Sequence, residues 1–328
     1  MHRFVPLIRH PDLLTVVAHF WPRPLDERRF PVQKNLYRTD EETQVLVEEQ
    51  SAGVAPSGHL VLIHGLESSS RAGYMKSLAS AALHAGFSTH RMNLRSCGGT
   101  ESLCRTAYHS GLTADLEGIV RELATSTGQP VFLAGFSLGG NVALKLAGEL
   151  GERARGLIAG VCGVSTPIDL AVCVRRMEEP RNRLYEVRFL RSLRRRMRVK
   201  HQCDPARFPL DGIDRVRSVR EFDDRFTAPA FDFRDAAEYY ETQSSIRFLD
   251  RVRVPVLLIQ AKDDPVVPFE PFTRSAVTAN PNIHLLATEY GGHVGFLSRR
   301  QPRFWSDAVI LDWMQALVRG TSRPQFQY

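Results

Sequence analysis

The stretch Gly135-Phe136-Ser137-Leu138-Gly139-Gly140-Asn141 sets one hydroxyl among glycines, where an apolar run meets a helical pattern. Two chemistries use such a turn. A phosphate-cradling loop shares the GxxxxG spacing of Gly135 and Gly140, but it also needs a Lys and a Ser or Thr directly afterwards. Asn141 and Val142 stand there instead, and no GxGxxG occurs in the chain, so nucleotide binding has no support. The second chemistry is nucleophilic. Gly135-Phe136-Ser137-Leu138-Gly139 satisfies GxSxG, in which the Ser sits on a sharp strand-to-helix turn. The middle residue is forced into a strained backbone, and the flanking glycines remove Cβ atoms that would clash. The hydroxyl then stands clear at the carboxyl end of the sheet, and the helix behind it aims its amides at developing negative charge.

A Ser hydroxyl is a weak nucleophile until a base removes its proton. On such folds the base and its orienting carboxylate follow in the order Ser, Asp, His. Asp263 and Asp264 lie just past the apolar run "VPVLLIQA", and His293 lies in the glycine-rich "EYGGHVGF". Singly, an Asp before Pro reads as a turn former and a loop His as an exposed residue. Together, in chain order and each after a strand, they read as a triad with Ser137. Asp264 is chosen over Asp263 because it directly precedes Pro265, leaving Asp263 to face solvent. His293 then accepts the Ser137 proton, and Asp264 holds the ring in the right tautomer. An oxyanion would need two amides: Leu138, directly after the nucleophile, and Leu66, in the loop "IHGLESSS". His64 is assigned to shaping that loop by hydrogen bonding.

These groups require a sheet. "HLVLIHG", "FSTHRMN", "PVFLAGF", "GLIAGVCG", "VPVLLIQA" and "NIHLLATEYG" read as buried strands, alternating with helical stretches such as "YMKSLASAALHAG" and "LTADLEGIVRELATSTG". That alternation predicts an α/β fold with a mostly parallel sheet and helices on both faces. "TQVLVEEQ" is expected to add an antiparallel edge strand. The pattern breaks near Ser165 and resumes near Arg253, which marks an insertion within a single domain. The core is expected over about residues 30–164 and 252–322, the insertion over about 165–251, and an N-terminal helical segment over about 1–29.

Composition is that of a water-soluble globular chain of 328 residues. The five cysteines are odd in number and fit no zinc or redox spacing, so we expect reduced thiols and a cytoplasmic location, with no metal and no organic cofactor. The apolar run "LLTVVAHFW" is too short to span a bilayer. It reads as a helix packed on the domain and ended by "PRP", with a peripheral membrane foot as the other reading.

With these motifs in view, the chain resembles the YheT-type branch of the α/β-hydrolase superfamily. "HGLESSS", "NLRSCGGTE", "AYHSGLTADL", "GFSLGGN", "AKDDPVVP" and "GGHVGF" carry the resemblance across about residues 60 to 300, and "HPDLLTVVAHFWPR" is similar to the family's opening helix. The resemblance implies serine-hydrolase chemistry on carboxylic esters, with Ser137, Asp264 and His293 where the family's triad is expected. This sequence departs from the family in having Ser68 after Glu67, where Gly is usual, and Arg95-Ser96-Cys97 in the next motif. An acyltransferase HxxxxD has no support, since Ser298 holds the Asp position. Cys97 is read as a packing thiol.

The net charge of +7 is local. From Arg175 to Lys200 there are eleven Lys or Arg against Glu178, Glu179 and Glu186, so the remainder of the chain is slightly acidic. Leu184, Val187, Leu190, Leu193 and Met197 recur at near-helical spacing, which predicts a helical, Arg-rich lid with a solvated charged face. A surface for anionic lipid is the second reading, and nucleic acid is not expected as a partner. The expected function is hydrolysis of carboxylic esters of short to medium acyl chains through an acyl-enzyme on Ser137. A lipase or phospholipase working at a membrane surface, and a non-catalytic binding protein on the same scaffold, are the alternatives.

Overall fold

Eight strands form one sheet: β1 (Gln33–Asp40), β2 (Thr43–Gln50), β3 (His59–Ile63), β4 (Ser88–Met92), β5 (Val131–Phe136), β6 (Gly160–Val164), β7 (Val256–Ala261) and β8 (Ile283–Thr288). Their spatial order is β1-β2-β4-β3-β5-β6-β7-β8. β1 and β2 join antiparallel, "TQVLVEEQ" being β2, and every pairing from β4 through β8 is parallel. The computed structural model describes residues 3–23 and 25–320. Met1 and His2, Pro24 of the expected "PRP" stop, and residues 321–322 of the expected core lie outside the described residues.

The helices of eight or more residues are α1 (Pro11–Phe20), α2 (Gly73–His84), α3 (Ala114–Thr127), α4 (Leu138–Leu150), α5 (Leu170–Met177), α6 (Arg183–Cys203), α7 (Ala236–Gln243) and α8 (Trp305–Val318). Strand alternation sorts the core into two layers. Leu60, Leu62, Phe132, Leu257 and Ile259 pack with Met75 and Leu78 of α2 and with Ile310 and Trp313 of α8. Val61, Ile63, Leu133, Val161 and Leu258 pack on the other face with Ile119 of α3 and Val142 of α4. The fold is thus a mostly parallel sheet covered on both sides. Gly128, at φ +64, ends α3 as its left-handed cap, as its position after the helical run implies.

The segment between β6 and β7 is helical and carries α5, α6 and α7. Its Leu170, Val174, Leu190, Leu193 and Tyr239 continue the α3/α4 layer without a break. Leu184 departs from the apolar stripe read in the sequence and is 84% exposed. It belongs to the outer face of α6, one turn from where the buried stripe begins.

The stretch Asn93 to Gly99 is a scaffold for the loop after β4. The Asn93 side chain accepts from the Ser70 amide at 2.9 Å and donates to the Leu46 carbonyl at 3.2 Å. A Cβ on Gly98 would lie 2.3 Å from Asn93 Oδ1, which demands glycine there. Arg95 donates to both carboxylate oxygens of buried Asp115 (2.6 and 2.8 Å), to Asp40 (2.8 Å) and to Thr106 (3.0 Å). One planar fork thus ties the β1–β2 hairpin, α3 and the loop together. Replacing Arg95 by Met leaves the Asp115 charge buried without its fork, so we expect a loss of about 3–5 kcal/mol. Urea unfolding reads this directly, and an unchanged midpoint would contradict the assignment.

Candidate active site

The β5–α4 turn is as tight as the glycines require. Ser137 has φ 50 and ψ −125, outside the comfortable regions for an L residue. A Cβ on Gly135 would sit 2.3 Å from the Gly139 carbonyl oxygen, and one on Gly139 would sit 2.3 Å from the Ile63 carbonyl oxygen. Those obstacles are backbone and cannot step aside. Asn141 braces the turn from behind. It donates to the Ser110 and Gln243 carbonyls (2.8 and 2.9 Å) and accepts from the Ser245 amide (2.8 Å).

Ser137, His293 and Asp264 come together. Ser137 Oγ and His293 Nε2 are 3.0 Å apart. His293 Nδ1 lies 3.0 and 3.2 Å from the two oxygens of Asp264. An Nδ1–H donated to the carboxylate leaves the Nε2 lone pair facing the hydroxyl. The Asp264 carboxylate is fully buried and cannot wander, because Oδ1 accepts from the Val266 and Val267 amides at 2.9 Å each. Pro265 supplies the sharp turn between them and needs no acceptor for itself.

Asp263 does not face solvent as expected. It is half-buried, and its Oδ1 accepts from the Gly292 amide at 2.9 Å, while burial raises its pKa. The reason is geometric: Asp263 reaches the Gly292 amide while Asp264 reaches the His293 ring, so both engage the same loop. Two further residues fix that loop, and neither is suggested by the sequence. Thr15 of α1 accepts from the His293 amide at 2.8 Å while donating to the Pro11 carbonyl. Ser165, at φ 49, accepts from the Val294 amide at 2.9 Å. A Cβ on Gly292 would lie 2.6 Å from both Pro11 O and Thr15 Oγ1, so this glycine lets α1 come close.

The loop after β3 lies beside the hydroxyl: a Cβ on Gly65 would come 3.1 Å from Ser137 Cβ. His64 is completely buried and shapes this loop. Its Nδ1 donates to the Gly65 carbonyl (2.8 Å), and its Nε2 accepts from the Leu94 amide (3.1 Å). Burial pushes its pKa down to about 4, which keeps the ring neutral and this bonding intact at ordinary pH. Ser68, the departure from the family pattern, accepts from Tyr74, whose oxygen in turn accepts from the Gly65 amide (both 3.1 Å). Glu67, at φ 53, holds its amide 2.8 Å from the Tyr108 hydroxyl oxygen. Leu66 and Leu138 border the same cavity as Ser137, and Leu138 is the first residue of α4, where amides have no partner within the helix.

Two cavities share Ser137 and Leu66. One is walled by apolar groups including Leu138, Leu170, Val174, Met177 and Leu193. The other opens between α1 and α6 and is bordered by His19, Arg23, Tyr185, Arg188 and His293. Among the described residues no group of three or more His, Cys, Asp or Glu is arranged to hold a metal. Cys97 is buried, and its thiol is pushed up to about 12 by that burial, which suits a packing thiol rather than a nucleophile.

The charged helix is not wholly a solvated face. Arg188, Arg191, Arg195 and Arg198 are exposed, but Arg196 and Lys200 turn inward. Arg196 pairs with Glu67, and Lys200 donates to the Glu101 carbonyl at 2.9 Å. Their partners lie far away in the chain, so local charge counting could not find them.

Comparison with known proteins gives the family and the fold. The profile of the alpha/beta hydrolase family matches residues 60–307. YheT of Escherichia coli strain K12 is 32% identical over 84% of this chain and 81% of its own. Phospholipase ABHD3 of Mus musculus is 30% identical over 79% of this chain, which spans 64% of that relative. Among solved structures, the Pyrococcus furiosus esterase Pf2001 superposes with a TM-score of 0.59 at 17% identity, covering 90% of this chain and 98% of its own, a likeness of fold. The chain belongs to the alpha/beta hydrolase family and is a YheT-like member of it.

Proposed function

We propose that this protein is a serine hydrolase that cleaves carboxylic esters through an acyl-enzyme on Ser137. The observation that carries the reading is the hydrogen-bonded line from Asp264 through His293 to Ser137. His293 Nε2 takes the hydroxyl proton as Ser137 Oγ bonds to the ester carbon. The former carbonyl oxygen becomes an oxyanion and meets the amides of Leu66 and Leu138. Collapse of this intermediate breaks the bond to the alcohol, which leaves with the proton from His293. Water then attacks the acyl-enzyme with His293 again as base, releasing the acid and restoring Ser137. The apolar cavity suits the acyl chain, and the more polar opening between α1 and α6 suits the alcohol. The helical segment between β6 and β7 supplies Leu170, Met177 and Leu193 to the acyl side and so acts as the lid.

A specific surface favours a second reading, in which the ester is taken from an anionic lipid surface. Leu184, Arg188, Arg191, Arg195 and Arg198 follow one another at helical spacing along the exposed side of α6. Leu13, Val16 and Phe20 are exposed on α1, which joins α6 through Tyr185–Asp12 and Arg188–His19 at 3.0 Å each. Arg198 pairs with Asp214, and apolar groups beside Arg188, Arg191 and Arg195 suit an anionic bilayer. Among the described residues no helix is long and apolar enough to cross a membrane.

Ser137→Ala is expected to abolish both labelling by a fluorophosphonate and hydrolysis of p-nitrophenyl butyrate. Labelling that survives the substitution would sink the acyl-enzyme and leave the binding-protein alternative standing. Asp264→Asn should cost about 10⁴ in kcat, by presenting the wrong tautomer of His293. A loss below tenfold would remove Asp264 from its role. Vesicles with phosphatidylglycerol should sediment the protein at low salt and release it at high salt. Equal binding to neutral vesicles, or none to either, would leave the lid without a lipid role.

A further inference from the structure

The loop that offers the Leu66 amide contains a residue held against its own preference. Glu67 has φ 53, a left-handed backbone that a Glu adopts only when its surroundings impose it. Two side chains do so. Tyr108, from the loop after β4, donates its hydroxyl to Glu67 Oε1 at 3.0 Å and accepts from the Glu67 amide at 2.8 Å. Arg196, from α6, pairs with the same carboxylate oxygen; the two side chains are only 11% and 8% exposed. The guanidinium also lies over the Tyr108 ring, 4.2 Å from its centre, and donates to Cys97 Sγ at 3.5 Å. Both Arg196 and Leu66 border the cavity that contains Ser137.

Of the two side chains that hold Glu67, Arg196 is the one from the insertion. We propose that Arg196 is a positioning residue whose buried pairing with Glu67 sets the loop after β3, so that seating α6 and presenting the Leu66 amide are one event. With α6 seated, Glu67 is clamped from two sides and its neighbour's amide is fixed. With α6 displaced, the carboxylate loses its charge partner, Tyr108 loses the plane stacked on it, and the strained turn can relax. A substrate that enters by moving α6 therefore meets an incomplete oxyanion site until the helix returns. The inference rests on the ester-hydrolase reading given above and adds a control over it.

The test is steady-state hydrolysis of p-nitrophenyl butyrate by Arg196→Gln, Arg196→Lys, Glu67→Gln and the Glu67→Gln/Arg196→Gln double variant, with Ser137→Ala alongside. Loss of a whole oxyanion donor costs about 10²–10³ in rate. A loosened donor should cost part of that, so Arg196→Gln is expected to lower kcat by about 10- to 100-fold with KM within about twofold. Arg196→Lys keeps a buried cation but not the stacked plane, and should lose only about three- to tenfold. The double variant should fall close to the worse single variant, because both remove one contact. Affinity for n-butylboronic acid, a mimic of the tetrahedral state, should fall in step with kcat/KM. If the neutral variants do not fold, Arg196→Lys carries the test alone. Full kcat in Arg196→Lys, full kcat in any neutral variant that folds, or a loss confined to KM overturns the proposal. Ser137→Ala separates the two readings. If it stays active, the hydrolase reading falls, whereas if it is inactive while Arg196 and Glu67 variants keep kcat, only the positioning role falls.

Discussion

The close approach of α4 to β3 governs the rest of the structure. At Gly139 there is no room for even one methyl group between the helix and the Ile63 carbonyl. That contact forces the β5–α4 turn into its tight form and leaves Ser137 in an unfavourable conformation, a cost of the order of 1–3 kcal/mol. Packing offsets it, since every residue of α4 except Glu149 is buried. The same contact sets Ser137 beside Gly65, so the hydroxyl and the loop after β3 are positioned by one backbone juxtaposition rather than by two independent devices.

The order and parallel pairing of the central strands were legible because each is a short, wholly apolar run flanked by helical spacing. "LVLI" and "VLLI" cannot lie on a half-wet sheet, and burial on both faces requires helices on both sides. The companions of Ser137 were legible for a different reason: Asp264 and His293 each follow such a run, and the carboxyl ends of parallel strands share one edge. What could not be read were contacts made across long stretches of chain. Thr15 looks like one polar residue in an apolar helix, and nothing local says that its hydroxyl receives the His293 amide. Asp263 looks solvent-bound because its neighbour has the better-defined role.

The Arg-rich helix shows the limit of reading charge from composition. Arginines a few residues apart on α6 have opposite circumstances. Arg195 and Arg198 lie on the outside, whereas Arg196 is enclosed by Glu67, Tyr108 and Cys97. Helical geometry separates them by a rotation of the helix, and only the fold decides which azimuth is inside. Burying a guanidinium is tolerable here because a carboxylate, an aromatic face and a thiol share its environment.

The bond between Thr15 and the His293 amide joins groups 278 positions apart. Polypeptides are made from one end, so the helix that steadies the imidazole must wait for its counterpart while the intervening residues are added. A nascent chain bearing Ser137 therefore has no imidazole beside that hydroxyl until residue 293 has been made.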